Sequence, residues 1–302
     1  MITRDATAFA AFARALAPDF GPACAKAAFL VTPEGFALAE QSASDNAYMD
    51  LGVAVDPQRA LAQHRDLQRA LSASLPVVAF PGDPAMPDGL FPNNVFATAP
   101  GRLVIGHMRH PVRRREAERA DIRAFFAAIG YAETDLRAQP GICELTGALV
   151  IDRARGLGYC GLSERCDEAG AAAMHAAFGL RGTLMFELAA GEYHCNVVMS
   201  VLAGRALALC PAGFADPAAA AGIVSVYAPH VVLLTPAQKA SFAGNGIALS
   251  PDRVWMSEAG AASLTVSQHD QLALAGFSVG RVPLDEIEKA GGSLRCCVAE
   301  IY

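Results

Sequence analysis

Glu144-Leu-Thr-Gly-Ala-Leu-Val-Ile151 leads through a turn into Leu157-Gly-Tyr-Cys-Gly-Leu162, and the pairing of these two apolar runs decides the fold. Two β-like runs so close together form a hairpin. A helix over about Glu164 to Phe178 comes next, and Thr183-Leu-Met-Phe-Glu187 reads as a third strand. The same succession recurs on both sides. Upstream, Asn93-Asn-Val-Phe-Ala-Thr98 turns at Ala99-Pro-Gly101 into Arg102-Leu-Val-Ile-Gly-His107, and a helix spans about Val112 to Ile129. Downstream, His194-Cys-Asn-Val-Val-Met-Ser-Val-Leu202 turns at Ala203-Gly204 into Arg205-Ala-Leu-Ala-Leu-Cys210. A fourth copy begins at Asn245-Gly-Ile-Ala-Leu249 and continues as Arg253-Val-Trp-Met-Ser257. Residues 24–80 supply a looser fifth, with strands near Ala28-Phe-Leu-Val31 and Pro76-Val-Val-Ala-Phe80 around a helix near Pro57–Ser72.

A unit of roughly 50 residues repeated about five times describes a ring or an array. Each unit contains a helix, which excludes a pure β-propeller. The hairpin ahead of each helix is foreign to a strict β-α-β alternation. The expected fold is α/β, a ring of five ββαβ units closed by the C-terminal strand Cys297–Tyr302 pairing with the first unit. Closure of that kind leaves no exposed sheet edge. Residues 1–302 are read as one such domain.

Composition agrees with a large, well-filled core: 53% of the 302 residues are hydrophobic and 18% charged. The net charge of −6 argues against nucleic acid or an anionic membrane as main partner. Apolar stretches are interrupted well short of a membrane span, and Met1-Ile-Thr-Arg-Asp-Ala6 does not read as a secretory signal. Eight cysteines without a C-x-x-C pair suit reduced thiols in a cytoplasm. No His/Cys set has zinc-ligand spacing, so neither metal nor cofactor is expected. Oligomerisation into a homo-oligomer is compatible with this composition and is left open.

Polar residues stand at the mouths of the apolar runs: Asn93 and Asn94, Glu144, His194 and Asn245, with Cys296 opening the closing strand. Turn chemistry accounts for asparagine in such places. Cysteine, histidine and glutamate at matching points of a repeat also supply a nucleophile, a proton shuttle and an acidic partner. Arg295 and the turn Gly291-Gly-Ser293 precede Cys296, a setting that can hold a thiol as thiolate. Successive strand residues face opposite sides, so only one of Cys296 and Cys297 can face the ring axis. Cys143 and Cys195 are read as small hydrophobes, His64, His175 and His269 as surface residues, and Arg113-Arg-Arg115 with Glu116 and Glu118 as a solvated face.

These segments resemble the guanidino-group-modifying enzymes, the amidinotransferase, arginine deiminase and dimethylargininase superfamily. Phe91-Pro-Asn-Asn94, Glu144-Leu-Thr-Gly147, Tyr193-His-Cys-Asn196 and Gly291-Gly-Ser-Leu-Arg-Cys296 are similar to its ordered motifs. The resemblance extends to Pro33-Glu-Gly-Phe36, Asp45-Asn-Ala47, Leu162-Ser-Glu-Arg165 and Phe242-Ala-Gly-Asn245 and points to the bacterial citrulline-hydrolysing branch. It implies a five-bladed α/β-propeller (pentein) and a site of Cys296 as nucleophile, His194 as acid and base, and Glu144 as third member. Among Cys296 and Cys297, the motif selects Cys296. Asn93, Asn94, Asn196 and Asn245 would contact the reacting group, and Asp45 and Arg165 the amino-acid end, since an α-carboxylate favours arginine.

Asn94, Ala99 and Asn196 stand where arginine-using members carry carboxylates, and Leu145 where many relatives carry glycine. Burying a guanidinium without carboxylates is costly, whereas a neutral ureido group suits amide partners. The expected reaction is therefore citrulline to ornithine, ammonia and carbon dioxide through a covalent cysteine intermediate. The alternatives are a guanidino hydrolase of the arginine deiminase, dimethylargininase or succinylarginine dihydrolase kind, an amidinotransferase, or a non-catalytic binder on the same fold.

Overall fold

The computed structural model describes residues 1–302, and its strands fall into five small sheets. Four of them follow one plan. A hairpin of two antiparallel strands comes first, the chain passes through a helix, and a third strand returns parallel to the second. Phe96–Ala99, Arg102–Ile105 and Ala132–Asp135 form one such sheet, and Leu149–Asp152, Leu157–Leu162 and Gly182–Glu187 the next. Met199–Leu202, Ala206–Leu209 and Val231–Leu233 follow, then Ile247–Ser250, Arg253–Ser257 and Ser278–Val282. The N-terminal strand Ile2–Thr3 adds parallel to Gly182–Glu187, and the fifth sheet joins the looser unit near the start of the chain to the C-terminus. Ala27–Val31 pairs parallel with Val77–Phe80 and antiparallel with the C-terminal strand Ala299–Ile301.

Local chemistry explains the elements. Gly101 turns the first hairpin at φ +70°, and Ala203 and Gly204, at φ +46° and +66°, turn the third. Asp56 caps helix Pro57–Ser72 by accepting from the Gln58 and Arg59 amides, with Pro57 in the first turn. Asp167 caps Glu168–Phe178, and Gly179 ends it in the left-handed conformation. No helix is long and apolar enough to cross a membrane.

The expected hairpin–helix–strand order holds, but two details differ. The residues just ahead of the inner strands are not themselves strand. Pro92–Asn94, Leu145–Ala148, Cys195–Val198 and Leu294–Cys297 are single helical turns, and the strands begin after them. Several apolar chains converge there, and a helical turn satisfies its backbone locally where no ladder partner is available. The single helix expected over 112–129 is instead Pro111–Arg114, a 3₁₀ segment Arg115–Glu118 and Ala120–Ala128.

Hydrogen bonds tie these turns together at matching points of successive units. Thr146 Oγ1 donates to the Asn93 carbonyl at 3.0 Å, and Asn196 Nδ2 to the Thr146 carbonyl at 3.1 Å. Asn245 Nδ2 donates to the Asn196 carbonyl at 2.9 Å, and the Arg295 amide to Asn245 Oδ1 at 3.0 Å. The partners lie 50 to 53 residues apart, apart from Asn245–Asn196 at 49, so the repeat is also a chain of contacts.

Candidate active site

Cys296, His194 and Glu144 are each buried to within 1% of full burial, on the turns just described. Asn245 Nδ2 donates to Cys296 Sγ at 3.3 Å, and Asn196 Oδ1 lies 3.8 Å from the same sulfur. Two of the asparagines expected around the reacting group therefore flank the thiol. Asn93 and Asn94 are buried beside them. Neither side-chain atom of Asn93, nor Oδ1 of Asn94, nor Nδ1 of His194 has a protein partner. Buried polar atoms are normally satisfied, so four orphans on two of these turns mark a place where a polar ligand belongs.

Glu144 organises the other half. Its Oε2 accepts from His194 Nε2 at 2.9 Å and from Arg165 Nη1 at 3.1 Å, and its Oε1 from the Arg109 amide at 3.2 Å. Burial alone would raise this carboxyl, but Arg165 and His194 hold it well below the usual range, so it is an anion. Burial lowers His194, and the bond to Glu144 only partly restores it. With Nε2 on the carboxylate, Nδ1 is the free nitrogen.

Burial also raises Cys296, only partly offset by the Ser293 backbone and Asn245. Without a ligand the pair is thus neutral thiol and neutral imidazole, which corrects the expectation of a resting thiolate. Arg295 does little for the sulfur because its Nη1 bonds the Val298 carbonyl and its Nη2 Glu300. Strand alternation does not separate Cys296 from Cys297, since both lie on the turn Leu294–Cys297. What distinguishes them is contact: Cys296 lines the pocket and meets Asn245, whereas Cys297 is fully buried in the core.

Cys296 opens onto a small pocket that includes Asp88, Asn94, Arg113, Arg165 and Tyr193 in its wall. Arg165 reaches it but is heavily committed, with Nε on Asp45 Oδ1 at 2.8 Å and Nη2 on the Ser42 carbonyl at 2.9 Å. Asp45 is further held by His110 at 2.9 Å and Arg109 at 3.1 Å. Asp45 thus stands behind Arg165 and bears on the pocket through it.

Two pocket residues escaped the sequence reading. Arg113, assigned there to a solvated face, is buried. It grips Glu116 through Nε and Nη2 and the Phe91 carbonyl through Nη2 at 3.1 Å, and its Nη1 has no protein hydrogen bond. Asp88 is fully buried and bonds only Ser42 Oγ through Oδ2. Burial raises its carboxyl despite Arg113 nearby, the mark of an anion short of a partner. An interleaved Arg/Glu run looks like an exposed helix face whichever member turns inward, and a lone aspartate in a loop carries no periodicity. Neither had a sequence signal.

His64 was likewise read as surface and is buried. Cys143 and Cys195 are buried small hydrophobes, as read.

A family model described as N,N dimethylarginine dimethylhydrolase, eukaryotic, matches residues 32–302. The chain belongs to this family. Among curated proteins it is 27% identical over 259 residues to the N(G),N(G)-dimethylarginine dimethylaminohydrolase of Mycobacterium tuberculosis, covering 85% of this chain and 80% of that one. The N-terminal domain of ArgZ, a cyanobacterial arginine dihydrolase solved with its substrate, superposes with a TM-score of 0.79 at 20% identity, over 91% of this chain and 97% of that one. A dimethylarginine dimethylaminohydrolase solved as an adduct with S-methyl-L-thiocitrulline superposes with a TM-score of 0.71 at 21% identity, over 92% and 100%. As a member of the dimethylarginine dimethylhydrolase family, the chain is a hydrolase of carbon–nitrogen bonds other than peptide bonds, of the guanidino-modifying class.

Proposed function

We propose that the protein hydrolyses the ureido group of citrulline to ornithine, ammonia and carbon dioxide. The observation that carries this choice of substrate is the set of amides around Cys296. Asn94 lines the pocket beside Cys296, Asn196 and Asn245 flank the sulfur, and the carboxylate that holds His194, Glu144, is already neutralised by Arg165. The one unpaired carboxylate of the pocket, Asp88, is taken by the amino-acid end in this reading, which leaves a guanidinium beside Cys296 with amides alone, whereas a ureido C=O and NH₂ match amide donors and acceptors.

The rest of the pocket suits an α-amino acid. Asp88 offers a buried carboxylate to an ammonium group, and Arg113 Nη1 an uncommitted guanidinium nitrogen to a carboxylate. A zwitterion places opposite charges on opposite charges and leaves the uncharged ureido end beside Cys296.

In the reaction, His194 Nδ1 takes the Cys296 proton as the sulfur attacks the ureido carbon. The same proton goes to the departing nitrogen, and ammonia leaves a thiocarbamoyl ester on Cys296. His194 then deprotonates a water that attacks this carbon. The thiol is released with a carbamate, which loses carbon dioxide to give ornithine. Glu144 stabilises the transient imidazolium and holds its ring, while Asn245 keeps the sulfur in place. The five sheets, with the C-terminal strand joined to Ala27–Val31, support the reading of a closed five-bladed ring in one domain. Eight free thiols support a reducing, cytoplasmic setting.

Arginine or dimethylarginine is the competing substrate class, favoured by the family match. Purified protein should be given citrulline, arginine and dimethylarginine separately, with ornithine, ammonia, dimethylamine and citrulline measured. Ornithine from citrulline is the expected result. Turnover of arginine or dimethylarginine with citrulline inert would overturn the proposal.

A further inference from the structure

Three cysteines unused by the reaction cluster behind Glu144 and Arg165. Cys160 lies on the central strand Leu157–Leu162, and Cys143 and Cys166 adjoin Glu144 and Arg165 in the chain. All three are buried, and the sulfurs of Cys160 and Cys166 are 3.6 Å apart. Ser163 and Cys166 exchange backbone hydrogen bonds of 3.1 and 3.2 Å, so residues 163–166 form a tight turn with Arg165 at its tip and Cys166 at its base. The turn is anchored to the site on two sides: Ser163 Oγ donates to the Tyr193 carbonyl at 2.7 Å, and the Glu144 amide to the Arg165 carbonyl at 3.2 Å.

We propose that Cys160 and Cys166 are a redox-active dithiol that a small neutral peroxide closes to a disulfide, shifting the turn that carries Arg165. A disulfide needs its sulfurs at about 2.05 Å, so the pair must approach by roughly 1.5 Å. Cys160 is fixed in the middle of a buried strand, which leaves the turn to move. Arg165 has little slack, being held at once by Asp45, Ser42 and Glu144.

Access also selects the oxidant. Cys166 contributes to the wall of an open groove that also contains Glu164, Asp167, Glu168, Glu187 and Glu192, with Arg4 paired to Glu168 and Glu187 across it. Cys166 is almost fully buried behind that wall, so a molecule the size of hydrogen peroxide reaches it and one as bulky as glutathione disulfide does not. The Cys166 thiolate attacks one peroxide oxygen, the O–O bond breaks, and a sulfenic acid and hydroxide form. The Cys160 thiol then attacks the sulfenic sulfur and water leaves. Two thiols and one peroxide give one disulfide and two waters. The bond to Cys160, together with burial, holds the Cys166 thiol well above its ordinary value, so the reaction is slow at neutral pH and quickens as pH rises.

The test uses the full chain with Cys296→Ser, which removes the competing thiol at the active site. Protein treated with hydrogen peroxide is denatured in an alkylating agent, digested without reduction and mapped by mass spectrometry. A dithiothreitol-sensitive link between positions 160 and 166 is expected, formed faster at higher pH and absent with glutathione disulfide at equal concentration. Recovery of both residues as alkylated thiols, or as unlinked sulfinic acids, would overturn the dithiol. The displacement of Arg165 is read separately from the melting temperature. It should fall when the disulfide forms, recover with dithiothreitol, and stay constant under peroxide in a variant also carrying Cys160→Ser. A disulfide that leaves the melting temperature unchanged or raises it would overturn the displacement. Neither readout depends on which substrate the enzyme takes.

Discussion

Glu144 Oε2 and His194 Nε2 meet at 2.9 Å although 50 residues separate them, and Arg165 Nη1 reaches the same oxygen at 3.1 Å. One carboxylate oxygen thus fixes the imidazole and balances a buried guanidinium. Glu144→Gln keeps the shape but removes the charge that stabilises an imidazolium. We expect kcat to fall by about 10²–10⁴-fold with the fold retained, measured by ornithine release and circular dichroism. Arg165→Met leaves the buried Glu144 without its guanidinium and should destabilise the fold by roughly 3–5 kcal/mol in urea unfolding.

Cys296→Ser should abolish turnover while leaving the melting temperature within a few degrees. Cys297→Ser, which alters a core residue, should keep most of kcat and cost roughly 1 kcal/mol of stability. The opposite pattern would transfer the nucleophile to Cys297.

Gly147 is sterically required. A Cβ there would stand 2.6 Å from Asn94 Oδ1 and 2.7 Å from His194 Cε1. Gly147→Ala is expected to push the imidazole off line and lower kcat by at least ~10-fold, since misplacement of about 1 Å costs on the order of 10²-fold. A crystal structure of the variant would show the displaced ring.

Asp88→Asn should separate binding from stability. Loss of a charge-assisted contact to the substrate ammonium should raise KM about 10–100-fold with a smaller change in kcat. Removing a buried carboxyl raised by desolvation should simultaneously raise the melting temperature at pH 7. An unchanged KM would remove Asp88 from the binding site.

Acid sensitivity should come first from histidine. Burial takes His64 from 6.5 down to about 4, only partly opposed by the Glu34 charge and the Val31 backbone. Above pH 6.5 both the folded and unfolded forms are neutral there. Below it the unfolded chain takes up a proton that the folded chain refuses, so stability falls until about pH 4. The total loss is roughly 3 kcal/mol. His64→Leu should lessen the fall in melting temperature across that window, with the remainder left to His194, which burial also lowers. Losses below it, where Glu144 titrates, should remain.

Much of the fold was legible because its signals are local. Hairpins at Ala99–Gly101 and Ala203–Gly204 and the helix Pro57–Ser72 follow from turn residues, caps and apolar period, none of which depends on distant contacts. The polar residues at the strand mouths were visible because each stands alone against an apolar run. Leu145 illustrates the limit. Its departure from the relatives' glycine was noted, but only the backbone shows why glycine suits the position, at φ +23°.

Sequence alone determined the repeat, the pairing of the last strand with the first unit, and which cysteine, histidine and acid stand at matching points. Tertiary structure decided how those groups are charged and what surrounds them. A protonation state depends on desolvation and on partners far away in the chain, so a resting thiol at Cys296 and an anion at Glu144 could not be read from neighbouring residues. The inward turn of Arg113, the isolation of Asp88 and the withdrawal of Asp45 behind Arg165 have the same cause. Each depends on which of several similar charged residues finds a buried partner across the fold, and only packing makes that choice.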